Sequence, residues 1–121
     1  MKIIIAGSRN FSDYILLKSV LDEFIDVISS EFKNEDIEIV SGGAKGADSL
    51  GKTYAMDRGL KFKEFPADWD QLGRGAGYIR NKAMGDYGDV LIAFWDGVSR
   101  GTKHMIRYMK LQGKAVRIVN F

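Results

Sequence analysis

Two kinds of hydrophobic pattern alternate along the chain. Residues 2–6, 37–40 and 89–95 are short runs in which nearly every position is apolar. Such runs read as strands buried on both faces of a sheet. Between them apolar residues recur at helical spacing. Leu16, Leu17, Val20, Leu21, Phe24 and Ile28 form one stripe, with Ser12 placed to cap it. A second helix is expected over 44–58, with Ala47, Leu50, Tyr54 and Ala55 inward and Gly59 just past its end. Residues 60–65 begin by alternating, Leu60 and Phe62 against Lys61 and Lys63, which suits a half-exposed edge strand. A long loop over 66–73 leads to a helix over 74–84. A further helix over 101–112 ends at Gly113, and 115–119 closes the chain as a last strand.

Strands alternating with helices imply a parallel sheet with right-handed crossovers. The two most completely apolar strands, the first and fourth, belong side by side in the centre, and the third at an edge. The predicted fold is therefore a single Rossmann-like three-layer α/β domain over 1–121: a five-stranded parallel sheet of order 3-2-1-4-5 with helices on both faces. In that order the connections reverse between strands one and four. Ligands bind at such a switch point, outside the carboxyl ends of the strands.

Length agrees with one core, since 121 residues suit one domain. The chain has no cysteine, which removes disulfides and thiolate metal sites. Residues 1–6 are apolar but are cut short by Gly7-Ser8-Arg9-Asn10, so neither a signal peptide nor a membrane span is expected, and the protein reads as cytoplasmic. The net charge of +2 excludes a strongly basic nucleic-acid binder. The charges are unevenly spread: acidic residues crowd the first third and basic ones the second half, although Lys103, Arg107 and Lys110 share one helix and read mainly as a solvated face.

Candidate chemistry falls in the strand-to-helix loops. In the first loop, Gly7 permits a sharp turn, and Ser8 and Arg9 are able to donate to a phosphate. The second is Ser41-Gly42-Gly43-Ala44-Lys45-Gly46-Ala47-Asp48, opening a helix. Its glycines let a ligand approach backbone N–H groups, and the helix start favours an anion. It is neither a Walker A loop nor a G-x-G-x-x-G fingerprint. Asp48 reads equally as a cap of the first turn and as an acceptor for a ribose hydroxyl. The third loop carries Asp96, Gly97, Ser99, Arg100, Gly101 and Thr102, again with a helix start behind it. In the stretch from Gly73 to Asn81, Arg74 and Arg80 are placed to reach anionic oxygens, and Trp69 and Tyr78 either stack on a base or simply pack.

Taken together, Gly7-Ser8-Arg9, Ser41-Gly42-Gly43-Ala44-x-Gly46-Ala47-Asp48, Arg80-Asn81-x-x-Met84 and Asp96-Gly97-x-Ser99-x-Gly101-Thr102 resemble the SLOG superfamily. That superfamily joins the Smf/DprA DNA-processing proteins and the LOG "lonely guy" proteins, and the match is nearest to its small YspA/YpsA-related branch. The resemblance implies a Rossmann-like fold, self-association into a homo-oligomer and a nucleotide-derived ligand. LOG phosphoribohydrolases pair an arginine in Arg-Lys-x-x-Met with a glutamate three residues after the Gly-Thr of their phosphate loop. Arg80 and Met84 match the first motif, but the position three after Thr102 is Met105. Methionine accepts hydrogen bonds too weakly for a glutamate's task.

Three functions compete. The favoured one is a sensor or sequestering module for a nucleotide or nucleotide-derived phosphate ligand. It is held by Gly7, Ser8, Arg9, Gly42, Gly43, Ala44, Gly46, Asp48, Arg74, Arg80, Asn81, Asp96, Gly97, Ser99, Arg100, Gly101 and Thr102. The second is a nucleotide N-glycosidase of LOG type with Arg80 as its catalytic residue. The third is single-stranded DNA binding of DprA type, disfavoured by the modest charge and short chain, so nucleic acid is not an expected partner. No dedicated metal site is expected, with one histidine, His104, in the chain. Mg²⁺ has a place only through a ligand phosphate, at Asp48 and Asp96.

Overall fold

Ile3, Ile4 and Ile5 are fully buried, which requires cover on both faces of the strand that carries them. The computed structural model describes residues 1–121, apart from the side chain of Arg74. It provides that cover. Strand β1 (Lys2–Gly7) is followed by helix α1 (Tyr14–Ile28), β2 (Glu38–Ser41), α2 (Ala47–Arg58), β3 (Lys61–Glu64), the short α3 (Trp69–Leu72), α4 (Ala76–Tyr87), β4 (Val90–Trp95), α5 (Arg100–Leu111) and β5 (Ala115–Asn120). The strands are parallel in the order β3-β2-β1-β4-β5, as the hydrophobic pattern predicts.

Alternate residues of the central strands feed two cores. Ile3, Ile5, Ile92 and Phe94 pack with Leu17, Leu21 and Ile25 of α1 and with Ala47, Tyr54 and Ala55 of α2. Ile4, Ala6, Leu91 and Ala93 pack with Met84 of α4 and with Met105, Ile106 and Met109 of α5. The result is the three-layer arrangement with helices on both faces. The edge strand β3 exposes Lys61, Lys63 and Glu64. Charge on an open edge discourages pairing with another chain. Helices α1 and α2 are tied by Asp22, whose carboxylate accepts from Lys18 at 2.8 Å, from the Tyr54 hydroxyl at 2.6 Å and from Arg58 at 2.5 Å. These donors, Lys18 foremost, pull the Asp22 pKa down to about 2.

The differences from expectation are local. Asp13, not Ser12, caps α1, its carboxylate accepting from the Leu16 amide at 3.0 Å. The buried stripe of α1 includes Ile25, which the spacing passes over, while Leu16, Phe24 and Ile28 are only partly buried. Helix α2 starts at Ala47 rather than 44, because Gly43 and Gly46 hold left-handed φ of 75° and 82° and keep the loop open. The expected loop over 66–73 contains α3, whose cap Asp68 accepts from the Gln71 amide at 3.2 Å. The next helix opens with a 3₁₀ turn (Gly73–Gly75) before α4 and runs on to Tyr87.

Candidate functional site

At the carboxyl end of the sheet the chain leaves β1 and β4 in opposite lateral directions, and a cavity of about 520 Å³ opens there. This volume lies within the range of small-molecule sites, roughly 300–1,000 Å³. Gly7 and Ser8, Ala44 and Asp48, Arg80 and Asn81, and the run Ser99 to Thr102 all line it. Four chain segments far apart in sequence thus converge where the strand order places a ligand.

The floor is tight. Gly7 lies opposite Phe94, and a methyl group on it would sit 2.3 Å from the Phe94 carbonyl oxygen and 2.7 Å from Ala47 Cβ. Only glycine fits between β4 and the start of α2. Ser8 is buried. Its amide donates to Phe94 O at 3.0 Å, and its hydroxyl accepts from the Asp96 amide at 3.1 Å and lies 3.0 Å from Ser99 Oγ. Its role is to join the loops after β1 and β4, leaving Arg9 exposed above.

The loop after β4 is held by Asp96. One carboxylate oxygen accepts from the amides of Val98 (2.9 Å) and Ser99 (2.8 Å), the other from Ser99 Oγ at 2.8 Å. The two amide bonds lead in drawing its pKa down to about 2. Trp95 Nε1 adds a bond to Ser99 O at 3.0 Å. So fixed, the loop presents the first turn of α5. Lys103 is the first residue of the helix whose amide finds a main-chain acceptor, Ser99 O at 3.1 Å. The amides of Arg100, Gly101 and Thr102 precede it and have no intrahelical acceptor. They stand at the positive end of the helix dipole, which attracts anions. Among the described residues neither Arg9 nor Arg100 takes part in an ion pair.

Asp48 is 6% exposed, and one oxygen accepts from the Ala44 amide at 3.3 Å. Burial raises its pKa to about 6, against the opposing pull of the Ala44 amide and the positive charge of Arg80. Arg80 is half-buried and also bonds to its own chain. Its Nη1 donates to Gly42 O at 2.7 Å and to Phe65 O at 3.4 Å, and its Nε to Asn81 Oδ1 at 3.1 Å. The guanidinium therefore clamps the ends of β2 and β3 together. Burial lowers its pKa. Asn81, also buried, donates to Gly101 O at 3.1 Å and lies 3.3 Å from His104 Nδ1, tying α4 to the start of α5.

Of the residues expected to contact a ligand, Gly7, Ser8, Arg9, Ala44, Asp48, Arg80, Asn81, Ser99, Arg100, Gly101 and Thr102 line the cavity, and Gly42, Gly43, Gly46, Asp96 and Gly97 do not. Gly42 makes room for the Arg80 guanidinium, whose Nη1 lies 2.3 Å from where a Cβ would be. Gly46 lets α2 begin against the Ser8 carbonyl, 2.3 Å from its own missing Cβ. The side chain of Arg74 lies outside what the structure describes. Sequence reasoning passed over Ala6 and Asn10 in the cavity wall, although Asn10 directly follows Gly7-Ser8-Arg9. Met105, where LOG enzymes carry glutamate, is a buried apolar part of that wall. Of the two carboxylates considered for Mg²⁺ held through a ligand phosphate, Asp48 lines the cavity, whereas Asp96 lies outside its wall with both oxygens accepting from its own loop. No group of three or more metal-ligating side chains converges among the described residues. Among them, too, no helix is long and apolar enough to cross a membrane.

A parallel sheet of this order, with glycine-rich loops at its switch point, defines a Rossmann-like α/β protein. The chain belongs to the YspA, cpYpsA-related SLOG family, whose model matches residues 1–72. That stretch carries the loops after β1 and β2, and the loop after β4 lies beyond it. No curated protein matches the chain. Among solved structures it is similar to DNA processing protein A from Helicobacter pylori, described for its single-stranded DNA binding mode, with 20% identity and a TM-score of 0.70 over 98% of this chain. It is also similar to DprA from Streptococcus pneumoniae, with 17% identity and a TM-score of 0.75 over 99%. The chain spans 64% and 50% of those two proteins, and at such identity the likeness is one of fold. It nevertheless overturns the expectation that nucleic acid is not a partner, since the H. pylori protein with this fold binds single-stranded DNA. Net charge is a poor guide here, because a strand is held by a few cations along one groove rather than by the whole surface.

Proposed function

We propose that the cavity binds the phosphate of a nucleotide or nucleotide-derived ligand. One observation carries this reading: the free first-turn amides of α5 and the unpaired Arg9 and Arg100 border the same cavity at the switch point. Backbone donors fixed by Asp96 and Ser8 need no rearrangement to meet an anion, and the two guanidinium groups add bidentate donors. The protein acts in this reading as a sensor or sequestering module. Calorimetric titration with nucleoside mono- and diphosphates and ADP-ribose tests it. At least one should bind and raise the melting temperature. Arg100→Ala should weaken that binding by about tenfold or more, the scale of one charge-assisted hydrogen bond, with an unchanged circular dichroism spectrum. Unchanged affinity in Arg100→Ala and in Arg9→Ala would remove the phosphate reading.

A second reading places the same phosphate in a single DNA strand. The structural neighbours support it, as do exposed Lys45 and Lys103, on the loop before α2 and in the first turn of α5, beside Arg9 and Arg100. The dependence of affinity on salt separates the two. An oligonucleotide held along several phosphates loses affinity steeply, with a log–log slope of about −0.7 per phosphate, whereas a mononucleotide shows a shallow slope.

A further inference from the structure

Two large aromatic side chains in the cavity wall have no part in holding the fold's core. Trp69, on α3, is 50% exposed, and Tyr78, on the first turn of α4, is 45% exposed, yet both line the cavity with Gly77 between them in the wall. Both are held rather than free. The indole lies against Gly77, where a Cβ would meet its Cη2 at 3.2 Å, so that glycine keeps room for the ring. The Tyr78 ring packs on His104 with centroids 4.6 Å apart, and His104 is backed by Tyr108 at 6.4 Å. These rings come from α3 and α4, a different stretch of wall from the phosphate donors of the β1 loop and α5.

Two polar side chains of this part of the wall, Asn81 and Arg80, are engaged by their own chain. The Asn81 amide donates to Gly101 O and faces His104 Nδ1, while its oxygen accepts from Arg80. Arg80 Nη1 is bound to the carbonyls of Gly42 and Phe65. A flat ring entering here meets aromatic faces and finds these hydrogen-bonding side chains engaged elsewhere. Every nucleobase has a π-face, and base–aromatic stacking is tolerant of base identity.

We propose that Trp69 and Tyr78 form a stacking subsite for the base of the bound nucleotide, so that the protein selects base-bearing phosphates over bare sugar phosphates without discriminating sharply among bases. This rests on the phosphate reading above and adds the class of ligand. It predicts purines ahead of pyrimidines, in the order of stacking strength, and no strong choice between adenine and guanine.

The test is calorimetry on the full chain with AMP, GMP, CMP, UMP and ribose 5-phosphate. AMP and GMP should bind more tightly than ribose 5-phosphate by roughly 5- to 150-fold, the range of one base–aromatic stack. Trp69→Ala or Tyr78→Ala should take away most of that advantage and leave ribose 5-phosphate affinity unchanged, and Trp69→Phe should retain most of it. Trp69 is half-exposed on a short helix, so these variants keep the core intact. If ribose 5-phosphate binds as well as AMP, or if both alanine variants hold AMP within about twofold of the parent, the stacking subsite is refuted while the phosphate site stands. Preference for one purine over the other by more than about 100-fold would also refute it, since that demands hydrogen-bond readout of the base edge. Binding of none of the five ligands refutes this inference, and the phosphate reading falls with it only if the nucleoside diphosphates and ADP-ribose also fail to bind.

Discussion

Replacing Asp48 by asparagine should make the ligand-free protein more stable, and increasingly so as pH rises. Asp48 is 6% exposed, and its pKa rises from the ordinary 3.8 to about 6 because burial disfavours the charged form. Between those two values the folded protein keeps a proton that the unfolded chain has released. Folding therefore takes up a proton in that window, and stability falls as pH increases through it. With the pKa displaced from 3.8 to about 6, the loss is about 0.5 kcal/mol at pH 4 and about 3 kcal/mol at pH 7.5, at 1.36 kcal/mol per pH unit. Asparagine keeps a carbonyl oxygen for the Ala44 amide and carries no charge, so it escapes this loss. Urea unfolding of both proteins between pH 4 and 8, followed by far-ultraviolet circular dichroism, gives the difference directly. Asp22 and Asp96, each with a pKa lowered to about 2, act in the opposite sense and below pH 4, and both are present in the two proteins, so they cancel. The gap between the curves should open with rising pH and level off above pH 6. Parallel curves across the whole range would refute the argument. A buried carboxyl that weakens the fold while lining a cavity supports the ligand reading proposed above.

Two further substitutions test the framework of the site. Gly7→Ala forces a methyl group against the Phe94 carbonyl and Ala47 Cβ, both on rigid backbone, and should cost about 1–3 kcal/mol by urea unfolding; a change under about 0.5 kcal/mol would mean that β1 and β4 part more easily than their register implies. Ser41→Ala removes a buried hydroxyl that finds no hydrogen-bond partner among the described groups. It should leave stability within about 1 kcal/mol of the parent or raise it, and a loss above about 2 kcal/mol would show that the hydroxyl is bonded in solution.

The order of the strands was legible in the sequence because burial leaves a trace in every residue of a strand. Continuous apolar runs at β1 and β4 can be satisfied only in the centre of a covered sheet, and the lysines of β3 only at an edge. From that order alone the switch point followed, and with it the loops that line the cavity. The glycines at 7, 42, 43 and 46 marked where backbone must turn or approach closely, yet their spacing does not say what approaches. Gly42 faces a guanidinium from 38 residues away, and Gly46 a carbonyl of the β1 loop. The same limit governs the charged residues. Arg80 and Asp96 read in sequence as ligand contacts, and the fold in addition sets carbonyl oxygens before one and loop amides before the other. Periodicity is a local property of the chain and survives in the sequence. Whether a polar side chain is consumed by its own protein or left for a ligand depends on which distant backbone groups arrive beside it, and only the packed tertiary structure decides that.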